Sequence, residues 1–198
     1  MSEENTDAPA SEAIDLLKYR IDSLAERGVN IAGRSFTVTG EVSIEMFQRV
    51  DAWLTFFETD NAEESITIKL CSEGGHIYPA LAIIGRIKAS PCHIKIEAYG
   101  QIMSAATAIF AVADERVASE YTMFMFHMAS VTLPDNLKTR DVRIELKQVE
   151  REDLIFSDII GKHTTTKASV WQKMIQSGRN VYLSSEECMK LGLIDSII

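Results

Sequence analysis

Cysteine is scarce in this chain: Cys71, Cys92 and Cys188 are odd in number, widely spaced and contain no CxxC pair. That argues against a disulfide framework and against a thiolate zinc site, and it points to reduced thiols in the cytoplasm. The four histidines are scattered and form no HExxH, so no metal is expected. Basic charge is also short. Twenty Lys and Arg stand against 29 Asp and Glu, a net charge of −9, which leaves no electrostatic footprint for nucleic acid and no basic face for an anionic membrane. No uninterrupted apolar run reaches the roughly 18 residues that a spanning helix needs. Met1 to Pro9 is acidic and polar and lacks the basic start and apolar core of a secretory signal. GxGxxG, GK[ST] and GxSxG are all missing, which removes the usual dinucleotide, phosphate-loop and nucleophile-elbow signatures. No cofactor is implied, and neither a repeat nor a low-complexity core segment is present.

What remains has the composition of one globular domain, with 198 residues, 46% apolar and 25% charged. Residues 1–11 read as a disordered acidic tail and 12–198 as the folded domain. Ile14, Leu16, Leu17, Ile21 and Leu24 recur at helical spacing up to Gly28. Ser35–Thr39 has strand chemistry, closed by Gly40, and Ser43 opens a helix through Phe57. A strand is expected at Ile66–Cys71, then a helix with Pro79 in its first turn running to about Lys88. His93–Ala98 reads as a strand and Ser104–Ala113 as a buried, small-residue helix. Arg116–Ala118 and Met123–Met128 read as strands, and a long charged helix is expected from about Thr139 to Lys162. Short helices follow at Val170–Ile175 and Ser184–Leu191. Strands alternating with helices predict an α/β fold with a largely parallel sheet, whose ligand crevice lies beyond the carboxyl ends of the strands.

Three short segments fall at such ends. Gly74-Gly75 reads either as a tight turn or as bare backbone facing a ligand. Ser104 reads either as a plain helix N-cap or as a nucleophile placed where a helix start favours negative charge. His127 closes an apolar run, where an ionisable ring must find a partner or face a cleft. Together they supply oxyanion donors, nucleophile and base, three of the four parts of a serine hydrolase. His76, beside the double glycine, is placed to line a substrate groove. Cys71 reads as buried in its strand, and His93 and His163 as structural, the latter suiting a helix C-terminus as a cation.

These segments resemble the proteolytic subunit of the Clp protease, a serine peptidase of crotonase-like fold. Ser72-Glu73-Gly74-Gly75 resembles that family's Ser-Pro-Gly-Gly turn. Gly100-Gln101-Ile102-Met103-Ser104-Ala105-Ala106 resembles its nucleophile segment, and Met125-Phe126-His127 its base. Tyr182-Leu183-Ser184-Ser185-Glu186-Glu187 with Leu191-Gly192-Leu193-Ile194-Asp195 resembles its closing pattern. The resemblance implies Ser104 as nucleophile, His127 as general base, and the N–H groups of Gly75 and Ala105 as the oxyanion hole. It makes the 139–162 helix the handle of a heptameric ring, doubled into a tetradecamer or mixed with paralogous subunits. An AAA+ unfoldase would feed it polypeptide substrates.

The sequence departs from the pattern in three places. The family's catalytic aspartate falls on Gln176, with Asn180 nearby, and Asp158 and Asp195 are candidates for a relocated carboxylate. Ala129–Lys138 lacks the usual glycines, and the N-terminus is acidic. Three alternatives follow: a weak or inactive structural subunit of a mixed ring, a phage-type capsid-maturation peptidase, or a crotonase-type acyl-CoA enzyme.

Overall fold

The computed structural model describes residues 26–131, 133, 136 and 138–198. The expected tail over residues 1–11, the domain boundary at residue 12 and the expected helix over Ile14–Leu24 lie outside the described residues. Within them the chain forms an eight-stranded mixed sheet flanked by six helices.

The centre of the sheet consists of three parallel strands, β2 (Ser35–Val42), β3 (Ile66–Gly75) and β4 (Ile94–Met103). Phe36 lies opposite Ile68, and Ile68 opposite Ile96. Buried positions alternate with more exposed ones along β3, the two-residue period of a pleated strand. A short β1 (Val29–Asn30) pairs antiparallel to β2 at one edge. The crossovers are α1 (Ile44–Asp60) between β2 and β3, and α2 (Ile77–Ala89) between β3 and β4. Helix α1 starts where Ser43 Oγ accepts the Met46 N–H at 3.3 Å, and it buries Met46, Val50, Leu54 and Phe57 along one face. At its other end Arg34 collects the carbonyls of Phe57 and Asn61, at 2.8 and 2.6 Å, satisfying groups that a helix end leaves open.

Strand β4 serves two neighbours. Its first half, Lys95–Ala98, pairs parallel with β5 (Glu115–Ala118), whereas its last residues, Gln101–Met103, pair parallel with β6 (Met123–Phe126). Between them runs α3 (Ala105–Ala111), in which every residue is buried, so the helix is enclosed by the sheet and its neighbours. The long helix α4 (Thr139–His163) is followed by α5 (Ala168–Ile175). Then come β7 (Val181–Ser184), α6 (Ser185–Lys190) and β8 (Ser196–Ile197). Helix α6 begins with a reciprocal capping box between Ser184 and Glu187.

Several sequence expectations change. Gly40 does not end β2, which passes through it with a register shift between Thr39 and Glu41. Gly74 and Gly75 are the last residues of β3 rather than a separate turn, because they stay paired with Glu41 and Val42. Val181–Ser184 is a strand, drawn into the sheet by antiparallel pairing with β6. Cys71 is partly exposed. The imidazolium form of His163 is disfavoured by burial and by the nearby Lys88 and Arg116, against the expectation of a helix-end cation. Among the described residues no helix is long and apolar enough to cross a membrane.

The C-terminal segment is fixed by charge. Arg116 donates from Nη2 to Asp195 Oδ1 at 2.6 Å, and from Nε and its backbone N–H to Oδ2 at 3.0 and 2.8 Å. Partial burial pushes the Asp195 carboxyl up, but the Arg116 bonds outweigh it and leave the group below its usual range. A depressed folded pKa stabilises above the unfolded carboxylate value of about 4 and loses that contribution on acidification. Asp195→Asn therefore melts below the wild type at pH 7, and the gap between the two closes as the pH falls below about 4. Paired thermal melts across that range measure it.

Candidate active site

The parallel pairing of β3, β4 and β6 brings three strand ends together, with Ser72 opposite Ile102 and Met103 opposite Met125. Ser104 and His127 each lie just beyond these ends, so β-sheet register alone places them side by side. The Ser104 N–H donates to the Met125 carbonyl at 2.8 Å, tying the two strand ends through the backbone. Ser104 Oγ lies 2.7 Å from His127 Nε2, a hydrogen bond of nucleophile–base geometry.

Ser104 stands at the N-cap of α3, yet its side chain makes no cap bond. Its backbone has φ 53° and ψ −126°, a conformation that costs a non-glycine residue about 1–3 kcal/mol. The Thr107 N–H and hydroxyl both donate to the Ser104 carbonyl, at 3.0 and 2.7 Å, and help to hold it there. The strained turn aims Oγ away from the helix and toward His127. The N–H of Ala105, the first helical residue, has no intrahelical acceptor.

Gly74 presses against this turn, and Gly75 against the end of β2. A Cβ on Gly74 would sit 2.5 Å from the Met103 carbonyl oxygen and 2.6 Å from Ser104 Cβ. One on Gly75 would meet the Val42 carbonyl at 2.7 Å. Their φ angles of 89° and 150° also lie where side chains are disfavoured. Buried Ser72 locks the segment, its Oγ donating to the Gly40 carbonyl at 2.6 Å and accepting the Gly74 N–H at 3.1 Å. Both bonds bridge the register shifts in β2 and β3, and removing that hydroxyl would orphan a buried donor at about 1–3 kcal/mol.

Ser104, His127, Gly75 and Ala105 share one cavity of about 570 Å³. His76 lines it too, its Nε2 3.6 Å from Glu41 Oε1. Gln176 does not. It follows the last residue of α5, is exposed, accepts from Gln172 Nε2 at 3.2 Å and makes no hydrogen bond to His127. Asn180 is likewise exposed and reaches Tyr182 at 3.4 Å. Asp158 is exposed on α4, and Asp195 is held by Arg116.

The carboxylates that do line the cavity are Glu41, Glu73, Glu152 and Asp153; of these Glu152 and Asp153 are buried, and the sequence reading missed them. Asp153 is 4% exposed, and its Oδ1 accepts the Ala129 N–H at 2.9 Å. Burial raises its carboxyl above the usual range, partly opposed by the Ala129 bond and by His127, while Glu152 adds to the rise. Glu152 Oε1 accepts from Tyr78 Oη at 3.1 Å and from Gln148 Nε2 at 2.9 Å. A signal was present: of the five buried residues of α4, Glu152, Asp153, Phe156, Ser157 and Ile160, the last four recur at three- and four-residue spacing from Asp153. Asp153 thus falls on the inward stripe of a helix whose other face is charged.

A strained serine hydrogen-bonded to a histidine at the mouth of a parallel sheet has the geometry of a serine hydrolase's nucleophile and base. Residues 26–198 match the Clp protease family, and the chain belongs to that family. It is 26% identical over 197 residues to an ATP-dependent Clp protease proteolytic subunit of Deinococcus radiodurans, with 94% of each covered. Its fold superposes on an Asn-to-Asp mutant of ClpP1 from Listeria monocytogenes with a TM-score of 0.75 and 25% identity, covering 85% of this chain and 92% of that one. The chain is a ClpP-family protease subunit, and its α/β fold is the one the sequence resemblance implied.

The glycine cradle gives a direct test. Gly74→Ala forces the Met103–Ser104 backbone to move, and a displacement near 1 Å costs about 10²-fold in rate. The variant is expected to react with a fluorophosphonate at least that much more slowly than wild type, with a lower melting temperature. A wild-type labelling rate would contradict the close approach.

Proposed function

We propose that the chain is a serine endopeptidase subunit of a ring protease, cleaving unfolded polypeptide by acyl transfer to Ser104. The observation that carries this reading is the 2.7 Å contact between Ser104 Oγ and His127 Nε2 at a strained helix-entry turn. Ser104 Oγ bonds to the scissile carbonyl carbon as its proton passes to His127 Nε2. The carbonyl π electrons move to oxygen, which takes up negative charge against the N–H groups of Ala105 and Gly75. Along an extended strand successive N–H groups alternate in side. His76 donates to Val42 of β2, so the Gly75 N–H is assigned to the opposite edge, toward Ser104. Collapse of the tetrahedral intermediate breaks the C–N bond, and the leaving amine takes the proton from Nε2. A water then repeats the sequence on the acyl-enzyme, losing a proton to His127 and returning it to Ser104. No cofactor or metal enters these steps.

Assembly into heptameric rings, doubled or mixed with paralogous subunits, is supported by α4, which leaves Ile144, Leu146 and Leu154 exposed among its charged residues. The name of the Deinococcus relative, the proteolytic subunit of an ATP-dependent protease, supports a separate ATP-using partner, read here as an AAA+ unfoldase. A second reading, a slow subunit within a mixed ring, is favoured by Gln176, an uncharged residue at the place of the family's aspartate.

Two measurements test the proposal. Mass spectrometry of fluorophosphonate-treated protein places the adduct on Ser104, and Ser104→Ala abolishes it. An adduct that persists in Ser104→Ala removes the nucleophile assignment. Sedimentation velocity of the wild type gives a seven-fold or fourteen-fold species, alone or with paralogous subunits. Ile144→Glu with Leu146→Glu is expected to shift that species to smaller assemblies.

A further inference from the structure

The proton that Ser104 yields leaves a positive imidazolium in the cavity, and among the described residues no hydrogen-bond acceptor reaches His127 Nδ1. From the shared cavity wall, the burial of Asp153 and its anchorage two residues beyond the base, we propose that Asp153 is the positioning residue whose negative charge stabilises the protonated form of His127. The helix α4 thereby supplies the charge that Gln176 lacks.

Four features carry this assignment. The Asp153 side chain is 4% exposed and faces the same cavity as His127 and Ser104. Its Oδ1 is pinned by the Ala129 N–H at 2.9 Å, which fixes the carboxylate against the segment that leaves His127. Among the described residues no Lys or Arg lines the cavity, so none of them supplies a fixed cation to the carboxylate. His127 also lowers the raised Asp153 carboxyl, an electrostatic coupling between the two groups. A buried carboxylate with no fixed cation gains most from one formed during the reaction, because low dielectric strengthens their attraction.

The other ionisable groups on the wall come from β2, β3, α2 and α4, while the lining residues of β6, α3 and α5 are not ionisable. Glu41 is the penultimate residue of β2, Glu73 lies in β3, His76 precedes α2, Tyr78 is in the first turn of α2 and Glu152 adjoins Asp153 on α4. Glu152 is engaged by Tyr78 and Gln148, and Glu41 faces His76. A substitution at Asp153 leaves these in place.

The inference rests on the peptidase reading, so its test titrates His127 without relying on turnover. Diethyl pyrocarbonate acylates neutral imidazole, and mass spectrometry follows the reaction at His127 against pH in the full chain. Asp153→Asn keeps an oxygen acceptor for Ala129 but removes the charge. It should lower the His127 midpoint by about one pH unit while His76 and His93 stay unchanged. The acid limb of the kcat/KM profile should move down with it, and the plateau should fall about tenfold, the rate equivalent of one unit. Asp153→Glu, which retains the charge, should hold the midpoint near wild type. Asp153→Ser serves in place of the Asn variant if that does not fold, with the same shift expected. An unchanged His127 midpoint, or an equal shift at all histidines, overturns the assignment. Failure of the peptidase reading looks different: a fluorophosphonate adduct that survives in Ser104→Ala.

Discussion

The pairing of Gln101–Met103 with Met123–Met125 is the constraint on which the site depends. It sets the end of β4 against the end of β6 in fixed register, and a slip of one residue would turn every side chain to the other face. The bond from the Ser104 N–H to the Met125 carbonyl continues that pairing beyond the last ladder residue. It anchors a residue whose φ of 53° would otherwise relax. The contact from Oγ to Nε2 is therefore a consequence of backbone register, not of two long side chains finding each other.

Around that register the sheet is distorted on purpose. Strands β2 and β3 shift register near Gly40 and Ser72, and the Ser72 hydroxyl bonds across both irregularities. The shift carries Gly74 against the Met103 carbonyl closely enough that a Cβ is excluded. Strain at Ser104 and the absence of a side chain at Gly74 are thus two sides of one close approach, while Gly75 packs as closely on β2. Beneath them the all-buried α3 gives the turn a rigid floor.

Electrostatically the described cavity wall is acidic. Among the described residues Glu41, Glu73, Glu152 and Asp153 line it without Lys or Arg. Such a wall favours a positively charged group and disfavours an anionic ligand. Glu152 already has two donors, Tyr78 and Gln148, whereas Asp153 has the single Ala129 N–H. The two adjacent carboxylates are consequently not equivalent, although they follow one another in the chain.

The amino-acid sequence by itself determined the α/β alternation, the helix begun by Ser43, the long helix ending near His163 and the order of Gly74-Gly75, Ser104 and His127. Each rests on local signals: a cap, a hydrophobic period, a glycine pair. Only the tertiary structure decided that Gly40 is passed through rather than ending a strand, that Val181–Ser184 joins the sheet, and that Gln176 is exposed while Asp153 is buried in the cavity that His127 lines. These depend on partners distant in sequence. The β6 edge needs β7, and the Asp153 carboxylate meets a backbone N–H 24 residues earlier in the chain. A helical period says which residues of α4 turn inward, but not what they turn toward. That is set by packing, because burial makes a carboxylate seek the nearest donor or cation, and only the folded chain brings one within reach.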